Sequence, residues 1–162
     1  MNVIQIDTRE KERAIKNIIK TFEENGVKFI SSKLYVGDYM LFGFPNVIID
    51  RKQNLNELAG NLSTQHKRFK QEIMNAHEVG TKIIVLIEDN NYKTLEDVKK
   101  WKSKHTTLTG EWLYKTMKTM QDKKEEYDID FVFCNKEETG KKIIEILTGG
   151  ISWKTIRMNI RK

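Results

Sequence analysis

The stretch that most constrains the fold is KIIVLIE at residues 82–88. Its apolar residues follow one another without the polar alternation of a strand that has one face in water. Such a run is typical of a strand buried on both faces, as in a parallel or mixed sheet covered by helices. The sequence therefore predicts a sheet with helices packed against it.

Strand and helix patterns alternate on both sides of this run, separated by glycine, asparagine and the only proline, Pro45. Branched and aromatic residues predict the other strands at 3–6, 27–32, 33–42, 46–50 and 129–134. Apolar residues at helical spacing predict helices at 15–25, 55–60, 65–78 and 138–147, and two more within 94–127. This order predicts an α/β domain built on a mixed β-sheet flanked by helices.

Length and composition indicate one intracellular domain. A chain of 162 residues suits a single core, and we assign residues 1–150 to the domain and 151–162 to a basic C-terminal tail. The start lacks a signal peptide's apolar core, and no apolar stretch approaches the roughly 18 residues of a membrane span, which predicts no membrane association. Cys134 is the only cysteine, so an internal disulfide and a paired-cysteine metal site are excluded.

The net charge of +6 and its distribution favour polyanionic partners. Residues 93–124 hold nine lysines against four acidic residues, and residues 150–162 hold four basic residues and no acid. Residues 125–149 run the other way, with seven acidic and three basic residues. Two basic blocks brought together would form a phosphate-binding surface, although solvated lysine-rich helices explain the pattern equally well.

The candidate site begins with NVIIDRK at 46–52. Asp50 and Lys52 are two residues apart, so on a strand both side chains project to one face and Arg51 to the other. A carboxylate beside an ammonium can hold a divalent cation, orient a water and stabilise phosphate charge. Asp38, after Gly37, would supply a second oxygen ligand from the preceding strand. The alternative is a turn at Gly37-Asp38 and a charged strand end.

At this point four segments resemble a known family. IDTRE (6–10), VGDY (36–39), IDRK (49–52) and QHKRFKQEI (65–73) look like the successive motifs of the XPF-type nuclease domain of the PD-(D/E)XK superfamily. The resemblance implies a restriction-endonuclease-like fold and metal-dependent cleavage of DNA, with roles in DNA repair or recombination.

The resemblance also implies roles for individual residues. Asp38 and Asp50 would bind the metal, Mg²⁺ or Mn²⁺, and Lys52 would position the attacking water. Arg51 matches the arginine of the family's Glu-Arg-Lys triplet and is counted with the catalytic residues. A further set would support the centre: Asp7, Arg9, Glu10 and Asn56.

Two positions depart from the family pattern. Asp50 replaces the triplet's glutamate, a change that the wider superfamily accepts. Asn56 stands where the family has an aspartate, and a neutral amide is a weaker metal or proton partner, so catalytic weakness is expected there.

Several predicted roles have structural alternatives. Lys67, Arg68 and Lys70 would border the DNA groove, while Arg68 and Glu72 also have the i, i+4 spacing of a helix salt bridge. Asp7 and Glu10 have the spacing of a helix-capping pair, which a site role does not exclude. The tryptophans at 101 and 112 are expected in the core.

The predicted function is a Mg²⁺- or Mn²⁺-dependent endonuclease acting on branched or flapped DNA. The rivals are a non-catalytic DNA-binding module with the same fold, and a junction resolvase or general DNA-processing nuclease. The family's helix-hairpin-helix modules do not fit within GGISWKTIRMNIRK at the end of the sequence. The chain is therefore expected to form a homodimer, to recruit a DNA-binding partner protein, or to bind DNA with its own basic blocks. A candidate dimer face comprises Trp112, Leu113, Met117 and Met120, whose alternative is burial within a monomer.

Overall fold

The computed structural model describes residues 3–149, and the predicted basic tail at 151–162 lies outside them. The strands are β1 Val3–Ile6, β2 Lys28–Ser31, β3 Tyr39–Leu41, β4 Phe44–Lys52, β5 Lys82–Glu88 and β6 Ile129–Cys134. The α-helices are α1 Lys16–Glu24, α2 Leu55–Leu62, α3 His66–Glu78, α4 Gly110–Asp122 and α5 Thr139–Ile144. Short 3₁₀ turns occupy Glu96–Lys100 and Lys136–Glu138, and a π turn, Glu145–Gly149, follows α5.

The six strands of this part of the chain form one mixed sheet in the order β2-β1-β3-β4-β5-β6. The β3 strand runs antiparallel to both β1 and β4, and the other neighbouring pairs are parallel. The predicted mixed sheet is confirmed. Because β5 lies between β4 and β6 with helices on both sheet faces, its apolar run is continuous.

One predicted helix is a 3₁₀ turn instead. Leu95, Val98 and Trp101 are each three residues apart, which is the period of a 3₁₀ helix rather than the 3.6-residue period of an α-helix. The turn runs from Glu96 to Lys100 and buries Val98 beside Trp101, whose side chain is in the core as expected.

Two hydrophobic cores lie on opposite faces of the sheet, and they decide where the charged end of β4 points. Ile48 packs in the core that contains α2, α3 and α4, whereas Ile49 packs in the core that contains α1 and α5. Since side chains alternate along a strand, Asp50 and Lys52 lie on the same face of the sheet as Ile48, and Arg51 lies on the same face as Ile49. No helix among residues 3–149 is long and apolar enough to cross a membrane.

The suggested dimer face on α4 is wrong for three of its four residues. Leu113, Met117 and Met120 are at most 2% exposed and pack inside the chain against the core on the α2–α3–α4 side. Trp112 is partly buried against the same core. These three side chains are therefore not available for a dimer contact, because folding of the chain already removes them from water.

Gly37 allows the loop before β3 to lie directly against β4. Its φ is +72°, and a Cβ atom there would lie 2.4 Å from Ile48 Cγ2 and 3.1 Å from the Ile49 carbonyl oxygen. Only glycine combines this left-handed backbone with so close an approach. The close approach brings the following residue, Asp38, to the end of β4.

Candidate active site

The candidate site is a cleft of about 250 Å³ between the β3–β4 hairpin and the α2–α3 pair. Asp50 and Lys52 line it from β4, and Asp38 lines it from the loop before β3. The structure thus brings together the three residues on which the sequence argument centred.

Backbone hydrogen bonds fix Asp38 in place. Its N–H donates to the Ile49 carbonyl (2.8 Å), and its carboxylate Oδ2 accepts from the Arg51 N–H (2.7 Å). Its own carbonyl accepts from the Asp7 N–H (2.8 Å). The Asp38 backbone is therefore held by β4 and by the residue that follows β1, and its carboxylate lies beside Asp50 before any ligand arrives.

The cleft holds two carboxyl groups, Asp38 and Asp50, close together. Burial, reinforced by the charges of Asp50 and Glu10, raises the pKa of Asp38 to about 8. Lys52 Nζ lies 3.3 Å from Asp50 Oδ2 and 5.6 Å from the centre of the Phe69 ring, and its side chain is only 10% exposed. Lys52 pairs with Asp50 only, so a cation bound between the two carboxyl groups would favour the ionised form of Asp38.

The two carboxylates fit a divalent cation with a small protein ligand set. Within residues 3–149 no group of three His, Cys, Asp or Glu side chains is arranged to chelate an ion. Mg²⁺ commonly takes one or two protein carboxylates and completes its shell with water and substrate phosphate oxygens. Asp38 and Asp50 match that donor chemistry, and a bound cation would offset the burial and the neighbouring charges that raise the pKa of Asp38.

Arg51 does not reach the cleft, which corrects its placement among the catalytic residues. Its Nε donates to Glu10 Oε2 (2.7 Å), and its Nη1 donates to Glu88 Oε1 on the opposite face of the sheet. Tyr39 donates to Glu10 (2.6 Å) and Thr139 donates to Glu88 (2.6 Å). The Arg51 side chain is 6% exposed. Arg51 is thus the centre of a buried ion-pair network, and only its backbone N–H holds Asp38.

Asp7 links loops and does not cap a helix, so the capping-pair interpretation is wrong. Its buried carboxylate accepts from the Leu34 N–H (2.7 Å), the Arg9 N–H (3.0 Å) and Arg9 Nε (2.6 Å). Although burial opposes ionisation, these hydrogen bonds hold the pKa of Asp7 below its usual value. The α1 helix begins only at Lys16 and has no side-chain cap. Asp7 thereby orients Arg9, which lines the cleft.

The α2–α3 wall contributes polar residues that the sequence argument missed. Asn61 Nδ2 donates to Gln65 Oε1 (3.0 Å), both residues line the cleft, and the buried Asn61 Oδ1 has no partner among the described residues. Arg68 and Glu72 line the same wall and also form the expected helix salt bridge, at 3.3 Å. The four-residue spacing of Asn61 and Gln65 was visible, but it equally suits an exposed helix pair.

Asn56 lies outside the cleft, so the expected weak point is not part of the charged centre. Its Oδ1 accepts a hydrogen bond from Trp101 Nε1 at 2.9 Å. The adjacent Glu57 is also engaged elsewhere, because its carboxylate accepts from the Gln53 N–H and its own N–H donates to Asn54 at the start of α2. Neither side chain lines the cleft.

If the cleft carries the DNA cleavage that the resemblance implies, the Asn56→Asp variant is therefore expected to keep its rate within about twofold of the wild-type rate. The new carboxylate still accepts from Trp101 and remains exposed, away from Asp38 and Asp50, so exposed-charge effects stay small. Initial rates on one DNA substrate in Mg²⁺ measure this. A cleavage rate tenfold or more above the wild-type rate would show that residue 56 acts at the reacting centre.

Comparison with known proteins gives a family to this geometry. A family model described as the ERCC4 domain matches residues 6–147. This chain belongs to the ERCC4 domain family. The ERCC4 family comprises structure-specific DNA nucleases that generally depend on divalent metals. The match confirms the predicted resemblance to an XPF-type nuclease domain. Comparison with curated protein sequences found no match.

Two solved structures share the fold of this ERCC4 domain. XPF from Aeropyrum pernix has a TM-score of 0.66 and 19% identity, over 98% of this chain and 68% of that one. The same protein in complex with DNA has a TM-score of 0.65 and 19% identity, over 96% of this chain and 66% of that one. The chain thus spans about two thirds of the XPF chains. The predicted α/β fold with a mixed sheet is confirmed.

Proposed function

We propose that this chain is a divalent-metal-dependent endonuclease that hydrolyses DNA phosphodiester bonds, with flapped or branched DNA as its substrate. The observation that carries the proposal is the convergence of Asp38, Asp50 and Lys52 in one cleft. Membership of the ERCC4 domain family supports it, because the cleft is built from segments within the matched residues 6–147.

Asp38 and Asp50 would hold the cation, Mg²⁺ or Mn²⁺. When bound, such an ion polarises the phosphate and makes water a stronger nucleophile at neutral pH. The protein supplies the fixed positions of the two carboxylates. Hydrogen bonds to Ile49 and Asp7 fix the Asp38 backbone, and the Arg51 N–H donates to its carboxylate.

Lys52 would orient the attacking water and stabilise the charge that develops on the phosphate. The water oxygen bonds to phosphorus and gives up a proton to solvent, the bond from phosphorus to one sugar oxygen breaks, and that oxygen takes up a proton from solvent. The Lys52 ammonium is partly screened from water by Phe69 and by its own burial. A charge in such a setting acts more strongly on the phosphate than one in bulk water.

Arg9 and Arg68 would guide the DNA backbone into the cleft. Their side chains line its rim and are 59% and 77% exposed, so each can reach an approaching phosphate. Phosphate contacts of this kind position DNA without reading its sequence. That behaviour suits an enzyme that recognises DNA shape.

DNA is the proposed partner, as it is for the XPF chain that was solved in complex with DNA. A second copy or a DNA-binding partner protein remains part of the proposal. The surface for such a contact would have to lie elsewhere than on the apolar side of α4, since Leu113, Met117 and Met120 are buried.

The test is a comparison of DNA structures and metal ions. Purified protein is incubated with 5′-labelled flap, four-way and linear duplex DNA in Mg²⁺, in Mn²⁺ and in EDTA. We expect metal-dependent cleavage that is fastest on flap or branched DNA. Equal cleavage of linear duplex would favour a general DNA-processing nuclease, and binding without cleavage in either metal would favour a non-catalytic DNA-binding module.

A further inference from the structure

A second cleft lies on the other flank of α3, between that helix and α4. Its volume is about 230 Å³, and three lysines line it: Lys70, Lys115 and Lys123. Met120 and the buried Tyr127 also line the cleft, and Thr116 and Thr119 add hydroxyl groups. The Thr116 hydroxyl already donates to the Trp112 carbonyl (2.8 Å), so the three ammonium groups are the donors that suit an anion at this concave surface.

The three lysines of this second cleft, called the α3–α4 groove below, lack carboxylate partners among the described residues. None of the three lies within 4.0 Å of an acidic side chain, whereas Lys118 on the same helix pairs with Asp122 at 2.9 Å. Lys99 likewise pairs with Glu96 at 2.9 Å. The basic segment 93–124 is therefore divided: some lysines are neutralised by helix neighbours, and those at the groove keep their charge available.

The outer side of α3 connects this groove to the candidate active site. Arg68 and Lys70 are two residues apart, which is about 200° around a helix, so they line different clefts. Lys67 lies between them on the exposed side of the helix, opposite the buried Phe69 and Ile73. The three residues form a basic path across α3 from one cleft to the other.

We propose that the α3–α4 groove binds backbone phosphates of the same DNA whose scissile phosphate occupies the Asp38–Asp50 cleft. A helix with its side chains is about 10–12 Å wide, and duplex DNA advances about 3.4 Å per base pair. The groove phosphates thus lie on the order of three base pairs from the scissile one. The inference rests on the proposed function for the scissile position, but its binding test does not require cleavage.

The test measures affinity for a fluorescein-labelled flap duplex in EDTA, by anisotropy, between 50 and 200 mM KCl. The variant is Lys115→Gln/Lys123→Gln. The matched control, Lys16→Gln/Lys20→Gln, removes the same charge from α1, on the other face of the sheet. All four lysines are exposed, so unchanged melting temperatures are expected and verify folding.

Each lost phosphate contact should lower the slope of log K against log salt by about 0.9 and weaken binding by on the order of tenfold at 0.1 M salt. We expect that loss in the groove variant and a much smaller one in the control. Equal effects of the two variants, or no DNA binding by the wild-type chain, would overturn the inference. DNA binding that depends on the groove lysines, without cleavage in Mg²⁺, would refute the proposed nuclease function but would still support the inference about the groove.

Discussion

The Asp38→Asn variant is expected to lose metal-dependent DNA cleavage by ~10³-fold, while remaining as stable as the wild-type chain or more so. Substitution of a group that acts on transition-state charge typically costs 10² to 10³ in rate, and here the substituted carboxylate would also hold the metal. The asparagine carbonyl can still accept the Arg51 N–H, so the local geometry is preserved.

Stability should respond in the opposite direction from activity. The Asp38 carboxyl has a pKa raised to about 8 by burial and by Asp50 and Glu10, so holding it there in ionised form without a metal is unfavourable. A neutral amide removes this unfavourable contribution to stability. Thermal melting in EDTA at neutral pH measures the effect, and we expect an unchanged or higher melting temperature.

Glu78→Gln is the control for Asp38→Asn, because it neutralises an exposed carboxylate at the end of α3 away from the cleft. It should leave both rate and melting temperature unchanged. Cleavage by Asp38→Asn within threefold of the wild-type rate would exclude Asp38 from the chemistry.

The Arg51→Met variant is expected to lower the free energy of unfolding by about 3–5 kcal/mol, the usual cost of removing one partner from a buried ion pair. Glu10 and Glu88 would remain nearly buried without their cation, at 9% and 10% side-chain exposure. For a chain of this size the melting temperature should fall by roughly 10 °C. Differential scanning calorimetry measures the change.

A triple variant separates the structural role of Arg51 from a catalytic one. Arg51→Met combined with Glu10→Gln and Glu88→Gln removes the unpaired charges, and buried ion networks often tolerate such neutral replacement. We expect the triple variant to recover much of the melting temperature and, at a temperature where it is folded, a measurable part of the cleavage rate. Full stability of Arg51→Met with complete loss of cleavage would instead point to direct contact with DNA.

Local sequence pattern was sufficient for the part of the site that lies on one strand. The period of two along β4 places Asp50 and Lys52 on one face and Arg51 on the other, and the structure has this arrangement. The Gly37-Asp38 pair was also visible in the sequence, but the positive φ of Gly37 and its close approach to β4 are seen only in the structure.

The partners of Arg51 could not be predicted, because they are distant in sequence. Glu10 is 41 residues and Glu88 is 37 residues away. A pattern read along one strand shows which face a side chain occupies but not what approaches that face from other elements. For the same reason the Trp101 hydrogen bond to Asn56, 45 residues away, was missed. The family pattern has an aspartate at this position, and without knowledge of the Trp101 contact the asparagine was expected to weaken catalysis.

The α2–α3 wall of the cleft and the apolar side of α4 show a different limit of prediction from sequence. Asn61 and Gln65 join the site only because α2 and α3 pack over the end of β4. Leu113, Met117 and Met120 fitted both a dimer face and a core, since helical periodicity indicates an apolar side but not its partner. Tertiary packing decides both cases.

The most direct measurement of the central claim is a single-turnover reaction started by metal. Labelled flap DNA is bound to excess protein in EDTA, Mg²⁺ is added in excess, and the cleaved strand is followed over time for the wild-type chain and for Lys52→Met. Methionine keeps an unbranched apolar side chain at this position but removes the ammonium that lies beside Asp50 and over the Phe69 ring. We predict rapid cleavage by the wild-type chain and a rate lower by ~10²-fold or more for Lys52→Met at similar DNA affinity. Equal rates for the two proteins, or no cleavage by either, would contradict the account.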